Sequence, residues 1–384
     1  MGLIMMACSV IAMFNDSVFP GGTNTPDHRR AHSPNSLAGG EGAFVYTDQE
    51  EELIDLSMGY GAQIFGHGDP EIASSVSDSI NRGWLFAEPH SLVEQVAERI
   101  IDFFPSADTV KLATTGSDAV TYSLRCARLF TGRDQILVTE EGYHGVHDGL
   151  TYSAGFLDEV ANSITKVPFN DIEALKLELT SGDYAAFLLE PVLKDSGCIE
   201  PSIDYLERVR EVCTETDTVL IFDEVLTGAR LGPGGAQAHY DVIPDLMTVS
   251  KALSAGFPIS AVAGKEAVMN EFLPAGDVFL AGTFNANPPA LTATKTTLDR
   301  LESEPVYERI NTLGAELREF LSEKLYEREI EATIQGIGSI SSIVLGHEGT
   351  EYTQSLHDQE YDPDRYYDLA EAARDAGLLF PPYH

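Results

Sequence analysis

Positive charge is scarce in this sequence. Lys and Arg number 24 against 61 Asp and Glu in 384 residues, a formal net charge of −37. A chain this acidic repels phosphate backbones and anionic headgroups, which excludes nucleic acid and membrane as main partners. The acids are scattered rather than blocked, as in EGAFVYTDQEEELID and DLAEAARDAG. Such a surface reads as solvated and self-repelling, adapted to high salt. Cysteine is scarce too, with four residues at 8, 126, 198 and 213, no C-x-x-C and no Cys/His cluster at zinc spacing. The expectation is a reducing, cytoplasmic compartment, no disulfide framework and no metal. Long apolar runs are missing. The opening MGLIMMACSVIAMF matches a signal h-region only in length; it lacks a basic flank and is too short to span a bilayer, so it reads as a packed N-terminal segment or a mis-assigned start. There is no internal repeat and no G-x-S-x-G elbow, which sets a serine hydrolase aside. The glycine-rich run Leu231-Gly232-Pro233-Gly234-Gly235 does not sit between a strand and a helix. The dinucleotide fingerprint therefore fails.

What the chain does have is 43% hydrophobic residues, enough for a sizeable core. VKLAT, QILVTE, AAFLLEP, TVLIFDE, LMTVSK and ISAVAG are short, continuously apolar runs, with helical patterns such as TGSDAVTYSLRCARLF between several of them. Strands of that kind separated by helices predict an α/β fold, a mostly parallel sheet covered on both faces. Residues 61–303 form this large domain. Beyond 303 the pattern changes to an amphipathic helix, a strand pair and another helix. Residues 304–384, joined by 1–60, are expected to form a smaller α+β domain.

Parallel α/β sheets bind ligands beyond the carboxyl ends of their strands, so the residues following each strand matter most. After VKLAT come Thr115, Gly116, Ser117 and Asp118, opening a helix. A helix N-terminus with a close-turning glycine suits a phosphate; a plain N-cap explains the same residues. After QILVTE comes GYHG, where Tyr143 and His144 could stack on a flat ring. His144 and His147 have no third metal ligand nearby in sequence. After TVLIF come Asp223 and Glu224, and AAFLL ends in Glu190. An acid closing a strongly apolar strand needs a cation or donor partner, either a protonated ring nitrogen or a structural ion pair. After LMTVS comes Lys251. Desolvation lowers a lysine's pKa and makes it a better nucleophile toward a carbonyl; alone, it also reads as a strand-end lysine reaching for solvent. Together, a phosphate seat, a stacking aromatic, a buried acid and an amine are what pyridoxal phosphate requires.

In these motifs the chain resembles the class III aminotransferases of fold-type I, and among them glutamate-1-semialdehyde 2,1-aminomutase and its relatives. The resemblance runs from FPGGTNTP to about Leu379 through GHGDPEI, TGSDAVTYSLRCARLFTGRD, GYHG, EPV, IFDEVLTGAR, SKALSAGFP and GTFNANP. It implies a seven-stranded, mostly parallel sheet plus a small α+β domain, and transfer of an amino group. It implies Lys251 as the lysine that condenses with the cofactor's aldehyde and Asp223 as the partner of the pyridine nitrogen. Gly116, Ser117 and Asp118 fall on the phosphate loop, with Asp118 where the family usually has Glu. Tyr143 falls on the stacking aromatic, followed by His144; Glu190 and Val225 fall on neighbouring cofactor positions. Thr283 falls on a threonine that reaches the cofactor of the neighbouring subunit, which implies a homodimer.

There are departures from this pattern. The aminomutases read P-G-G-V-N-S-P-V-R, and their arginine holds a substrate carboxylate. Here His28 stands at that position, with Arg29 and Arg30 beside it. Either Arg29 takes over that grip or the grip is built differently. Tyr60 replaces a tryptophan at a substrate-facing position, and Lys194-Asp195 replace Gly-Asn. The final strand and helix of the pattern are absent after GLLFPPYH, so the small domain reads as truncated. These departures favour an aminomutase-like aminotransferase over the aminomutase itself. A non-catalytic scaffold on the same fold is the remaining alternative.

Overall fold

The computed structural model describes residues 36–150, 154–347 and 363–380. The opening apolar segment, Cys8, His28, Arg29 and Arg30 lie outside the described residues. By its internal contacts the chain divides into two units. One takes in residues 36–58, Gly66–Gly68 and 363–380; the other takes in Gly59–Phe65 and the described residues from Asp69 to His347.

The first unit is built on strands β1 (Leu37–Glu41), β2 (Phe44–Thr47) and β3 (Glu52–Asp55). In β3, buried and exposed residues alternate, as expected of an antiparallel sheet with one face in solvent.

The second unit holds the large sheet. Its strands are β4 (Thr109–Ala113), β5 (Gln135–Thr139), β6 (Ile164–Val167), β7 (Tyr184–Leu189), β8 (Val219–Glu224), β9 (Leu246–Val249) and β10 (Ser260–Gly264). Every residue of β7, β8, β9 and β10 is buried. The spatial order is β4-β10-β9-β8-β7-β5-β6. All neighbours pair in parallel except β10, which is antiparallel to both β4 and β9. This is the mostly parallel seven-stranded sheet expected from the sequence.

Helices α1 (Leu92–Phe103), α2 (Gly116–Thr131), α3 (Ile172–Leu179), α4 (Tyr205–Glu215), α5 (Gly235–His239) and α6 (Pro288–Ser303) surround the sheet. On one face Ala119, Val120 and Leu124 of α2 pack against Ile136, Leu188, Ile221 and Val262. On the other, Leu175 of α3 and Val209 of α4 meet Leu137, Phe187, Leu220 and Phe222. Val96 and Ile100 of α1 and Leu291 of α6 meet Met247, Val249 and Ala261. Successive strand residues point to opposite faces. Along β8, Ile221 and Asp223 therefore face α2, whereas Phe222 and Glu224 face away from it.

After the sheet come α7 (Val306–Glu327) and the antiparallel pair β11 (Ala332–Gln335) and β12 (Ser342–Leu345). The chain continues to α8 (Pro363–Asp375) and β13 (Leu378–Leu379). β13 joins β3 in parallel and completes the sheet order β1-β2-β3-β13 in the first unit.

Candidate active site

The carboxyl ends of β4, β5, β7, β8 and β9 all point the same way, and the singled-out residues follow them. Beyond β4, Thr115 caps α2. Its hydroxyl accepts the Asp118 N–H at 3.2 Å, and the Asp118 carboxylate accepts the Thr115 N–H at 2.9 Å and the Thr115 hydroxyl at 2.8 Å. This reciprocal capping box engages the Asp118 carboxylate within the helix start. Gly116 behaves differently. A Cβ there would lie 2.9 and 3.0 Å from the two methyls of Val225, so only glycine brings the helix N-terminus this close to the exit of β8. Ser117 Oγ accepts the Val146 N–H at 3.1 Å. Gly145, at φ 79°, leaves room for that hydroxyl, and the GYHG loop thereby lies over the start of α2.

The end of β8 separates its two acids. Asp223, 4% exposed, joins His144 Nδ1 at 2.8 Å through one oxygen. Its other oxygen accepts the Val225 N–H and the Thr248 hydroxyl, both at 3.1 Å. Glu224, on the opposite face, is saturated structurally. It accepts the N–H groups of Ala236 and Gln237, the Gln237 amide and the Thr227 hydroxyl. Burial pushes the Glu224 pKa up, and those donors pull against it. Glu224 therefore ties β8 to the start of α5. Thr248 was not singled out from sequence, although a hydroxyl inside the apolar run LMTVS was the available signal. It stands directly opposite Asp223 in the β8–β9 register.

Glu190 follows β7. Its Oε1 accepts the Tyr143 N–H at 2.9 Å, which fixes the loop carrying the tyrosine. Burial, then the charges of Asp195 and Asp223, hold the Glu190 carboxyl well above the usual range; the Tyr143 amide and Lys251 pull the other way. The Tyr143 side chain remains accessible, with the residue 49% exposed.

Lys251 follows β9 in a left-handed backbone conformation, φ 47°. Such a conformation in a non-glycine residue costs about 1–3 kcal/mol and persists only where the surroundings enforce it. Here Ser250 Oγ donates to the Ile259 carbonyl at 2.7 Å, and Ala252, Leu253 and Ser254 are buried directly after it. Burial lowers the Lys251 pKa, and nearby Lys194 adds to this. Asp195, Glu190 and Asp223 act in the opposite sense. The result is an amine more often neutral, and so more nucleophilic, than a surface lysine. Lys194 and Asp195 form an ion pair at 3.1 Å within a loop closed by mutual backbone bonds between Leu193 and Ile199. From sequence they stood out only as departures from a pattern.

The structure thus brings Gly116, Ser117 and Val225 together, and joins Tyr143, His144, Glu190 and Asp223 to the same strand ends as Lys251. Thr283 is exposed on a loop pinned by Tyr122 donating to the Ala281 carbonyl at 3.3 Å and Thr114 donating to Asn285 Oδ1 at 2.6 Å. Tyr60, 47% exposed, lies in a left-handed turn. Arg29 lies outside the described residues. His147 does not join the acids among the described residues, and burial lowers its pKa. Among the described residues no group of three His, Cys, Asp or Glu side chains could hold a metal ion.

These residues fit pyridoxal phosphate. A glycine lets a helix N-terminus pack closely against Val225 at the exit of β8, a phenol ring is accessible, a carboxylate is buried beside a histidine, and an amine has a lowered pKa.

The sequence model of the class-III aminotransferases matches residues 27–384. The chain is 36% identical over 378 residues to a glutamate-1-semialdehyde 2,1-aminomutase of Methanothrix thermoacetophila, covering 95% of this chain and 87% of that protein. Its fold superposes on an omega-transaminase from Sphaerobacter thermophilus with a TM-score of 0.90 at 30% identity, covering 96% of this chain and 89% of that one. It also superposes on a β-phenylalanine aminotransferase from Variovorax paradoxus, with a TM-score of 0.87 at 26% identity and coverage of 96% and 85%. The chain belongs to the class-III aminotransferase family, an α/β enzyme of fold-type I that uses pyridoxal phosphate to move amino groups.

Proposed function

We propose that this enzyme transfers an amino group between an amino acid and a keto acid. The observation that carries this reading over intramolecular exchange is the Lys194–Asp195 ion pair, whose charges act on Lys251. It stands where the aminomutase pattern has Gly-Asn. When bound, pyridoxal phosphate supplies an electron sink for the carbon that bears the amino group. Lys251 Nζ would hold the cofactor's aldehyde carbon in the resting enzyme and, once released by substrate, carry the proton to and from the substrate's amino-bearing carbon. Asp223, oriented by His144 and Thr248, would keep the pyridine nitrogen protonated. Gly116 and Ser117 would seat the phosphate, with Val225 beside it, Tyr143 would stack on the ring, and Glu190 would anchor the tyrosine loop. Tyr60 and Arg29 would face the substrate.

We include in the proposal a homodimer in which Thr283 reaches the neighbouring subunit's cofactor. Phe279 and Phe284, 68% and 63% exposed on the same loop, support a covered position for that loop in the assembly. A cytoplasmic location also belongs to the proposal. It is supported by Cys126, Cys198 and Cys213, all free and buried, with thiols that burial pushes up to about 12. Among the described residues no helix is long and apolar enough to cross a membrane.

The second reading is glutamate-1-semialdehyde aminomutase activity yielding 5-aminolevulinate, favoured by the relative at 36% identity. One assay separates the two. Aminolevulinate formed from the semialdehyde with no added keto acid establishes the mutase; product that requires a keto acid establishes the transaminase. An absorbance spectrum unchanged by every amine tested would sink both.

A further inference from the structure

Arg230 is 8% exposed, and its guanidinium meets no carboxylate among the described residues. A buried cation that answers no anion is costly, so its retention calls for a task suited to a rigid fork of donors. Three of its four hydrogen bonds go to one segment. Nε and Nη2 donate to the Gly61 carbonyl at 3.2 and 2.7 Å, and Nη2 also donates to the Gln63 carbonyl at 3.2 Å. Nη1 donates to Ser339 Oγ at 3.2 Å, which ties the fork to a further segment.

The segment held this way is strained. Gly59, Tyr60 and Gly61 are all left-handed, at φ 63°, 57° and 79°. A tyrosine adopts that conformation only when its neighbours enforce it. The segment also touches both sides of the site. A Cβ on Gly61 would lie 2.7 Å from Leu226 Cδ1, three residues after Asp223; a Cβ on Gly256, five residues after Lys251, would lie 2.6 Å from the Gln63 amide nitrogen.

We propose that Arg230 is a positioning residue: by gripping the Gly61 and Gln63 carbonyls it holds the left-handed turn that presents Tyr60 to the substrate. This rests on the reading of Tyr60 as substrate-facing.

The test uses cofactor-loaded enzyme with Arg230→Met, Arg230→Lys, Tyr60→Ala and the Tyr60→Ala/Arg230→Met pair. Each is titrated with L-glutamate, L-alanine and a β-amino acid, and the donor's dissociation constant and limiting rate are read from the cofactor's absorbance. Cofactor absorbance before donor addition and thermal melting report the scaffold. The expected result is roughly tenfold weaker donor binding in Arg230→Met with the starting absorbance retained. Arg230→Lys should recover only part, because an ammonium cannot span both carbonyls, and it carries the test should Arg230→Met fail to fold. In the Tyr60→Ala background the effect of Arg230→Met should shrink. If Tyr60→Ala weakens donor binding but Arg230→Met does not, or adds its full effect on top, the positioning role is overturned while the reading of Tyr60 stands. If Tyr60→Ala leaves donor binding unchanged, that reading fails and takes the inference with it.

Discussion

Gly116→Ala puts the proposed phosphate seat to a direct test. The added methyl would sit 2.9 and 3.0 Å from the two Val225 methyls, against about 3.5–4.0 Å for relaxed carbon contacts. Gly116 does not have a positive φ, so alanine brings no backbone penalty of its own and the effect is purely one of packing. Overpacking of this kind costs about 1–3 kcal/mol. Val225 is only half-buried, so its methyls can yield in part, which places the expectation toward the lower half of that range. The displaced part is the helix N-terminus that would seat the phosphate. Affinity for pyridoxal phosphate should therefore fall by a factor of roughly 5–30, the equivalent of about 1–2 kcal/mol. The assay is fluorescence titration of the cofactor-free protein, with a melting curve for each variant. Val225→Ala removes the offending methyls and should restore most of the affinity in the double variant. Unchanged affinity in Gly116→Ala, or no rescue by Val225→Ala, would refute the reasoning.

Asp195→Asn removes a charge that raises the Lys251 pKa, so the midpoint at which Lys251 becomes reactive should move to lower pH. Lys194→Met should move it to higher pH, and trapping of Lys251 by an amine-selective reagent in cofactor-free protein across a pH series reads both. Glu190 has a folded-state pKa raised above its ordinary 4.5, so its contribution to stability is fully present below that value and is lost as pH rises toward the folded pKa. Glu190→Gln lacks that term, and its melting temperature relative to the parent should climb as pH increases from about 4 upward; a flat difference would contradict the raised pKa. With a formal net charge of −37, the melting temperature of the parent should rise steeply between low and molar KCl as self-repulsion is screened. Indifference to salt would remove the high-salt reading of the surface.

Several features were legible without coordinates because they are local. Continuous apolar runs cannot face water on either side, so β7, β8, β9 and β10 read directly as strands of a covered sheet. Lys251, Asp223 and Glu190 were legible because a charge at the end of such a run is costly without a partner. Other assignments depended on which face a side chain takes. Asp223 and Glu224 are adjacent acids on one strand, and only the packing of α2 on one face and α5 beyond the other shows that Asp223 meets His144 while Glu224 closes a structural knot. Asp118 and Gly116 lie in one short motif, yet the carboxylate is engaged by the capping box and the glycine is required by Val225, a residue more than 100 positions away. Thr248 and Arg230 had no local signature strong enough to single them out, because their partners come from β8 and from the Gly61–Gln63 segment. Sequence by itself determined which residues could not sit comfortably in water or in a core; the tertiary structure decided which of them answer one another, since hydrogen bonds and charges act through distances of a few ångströms that chain separation does not encode.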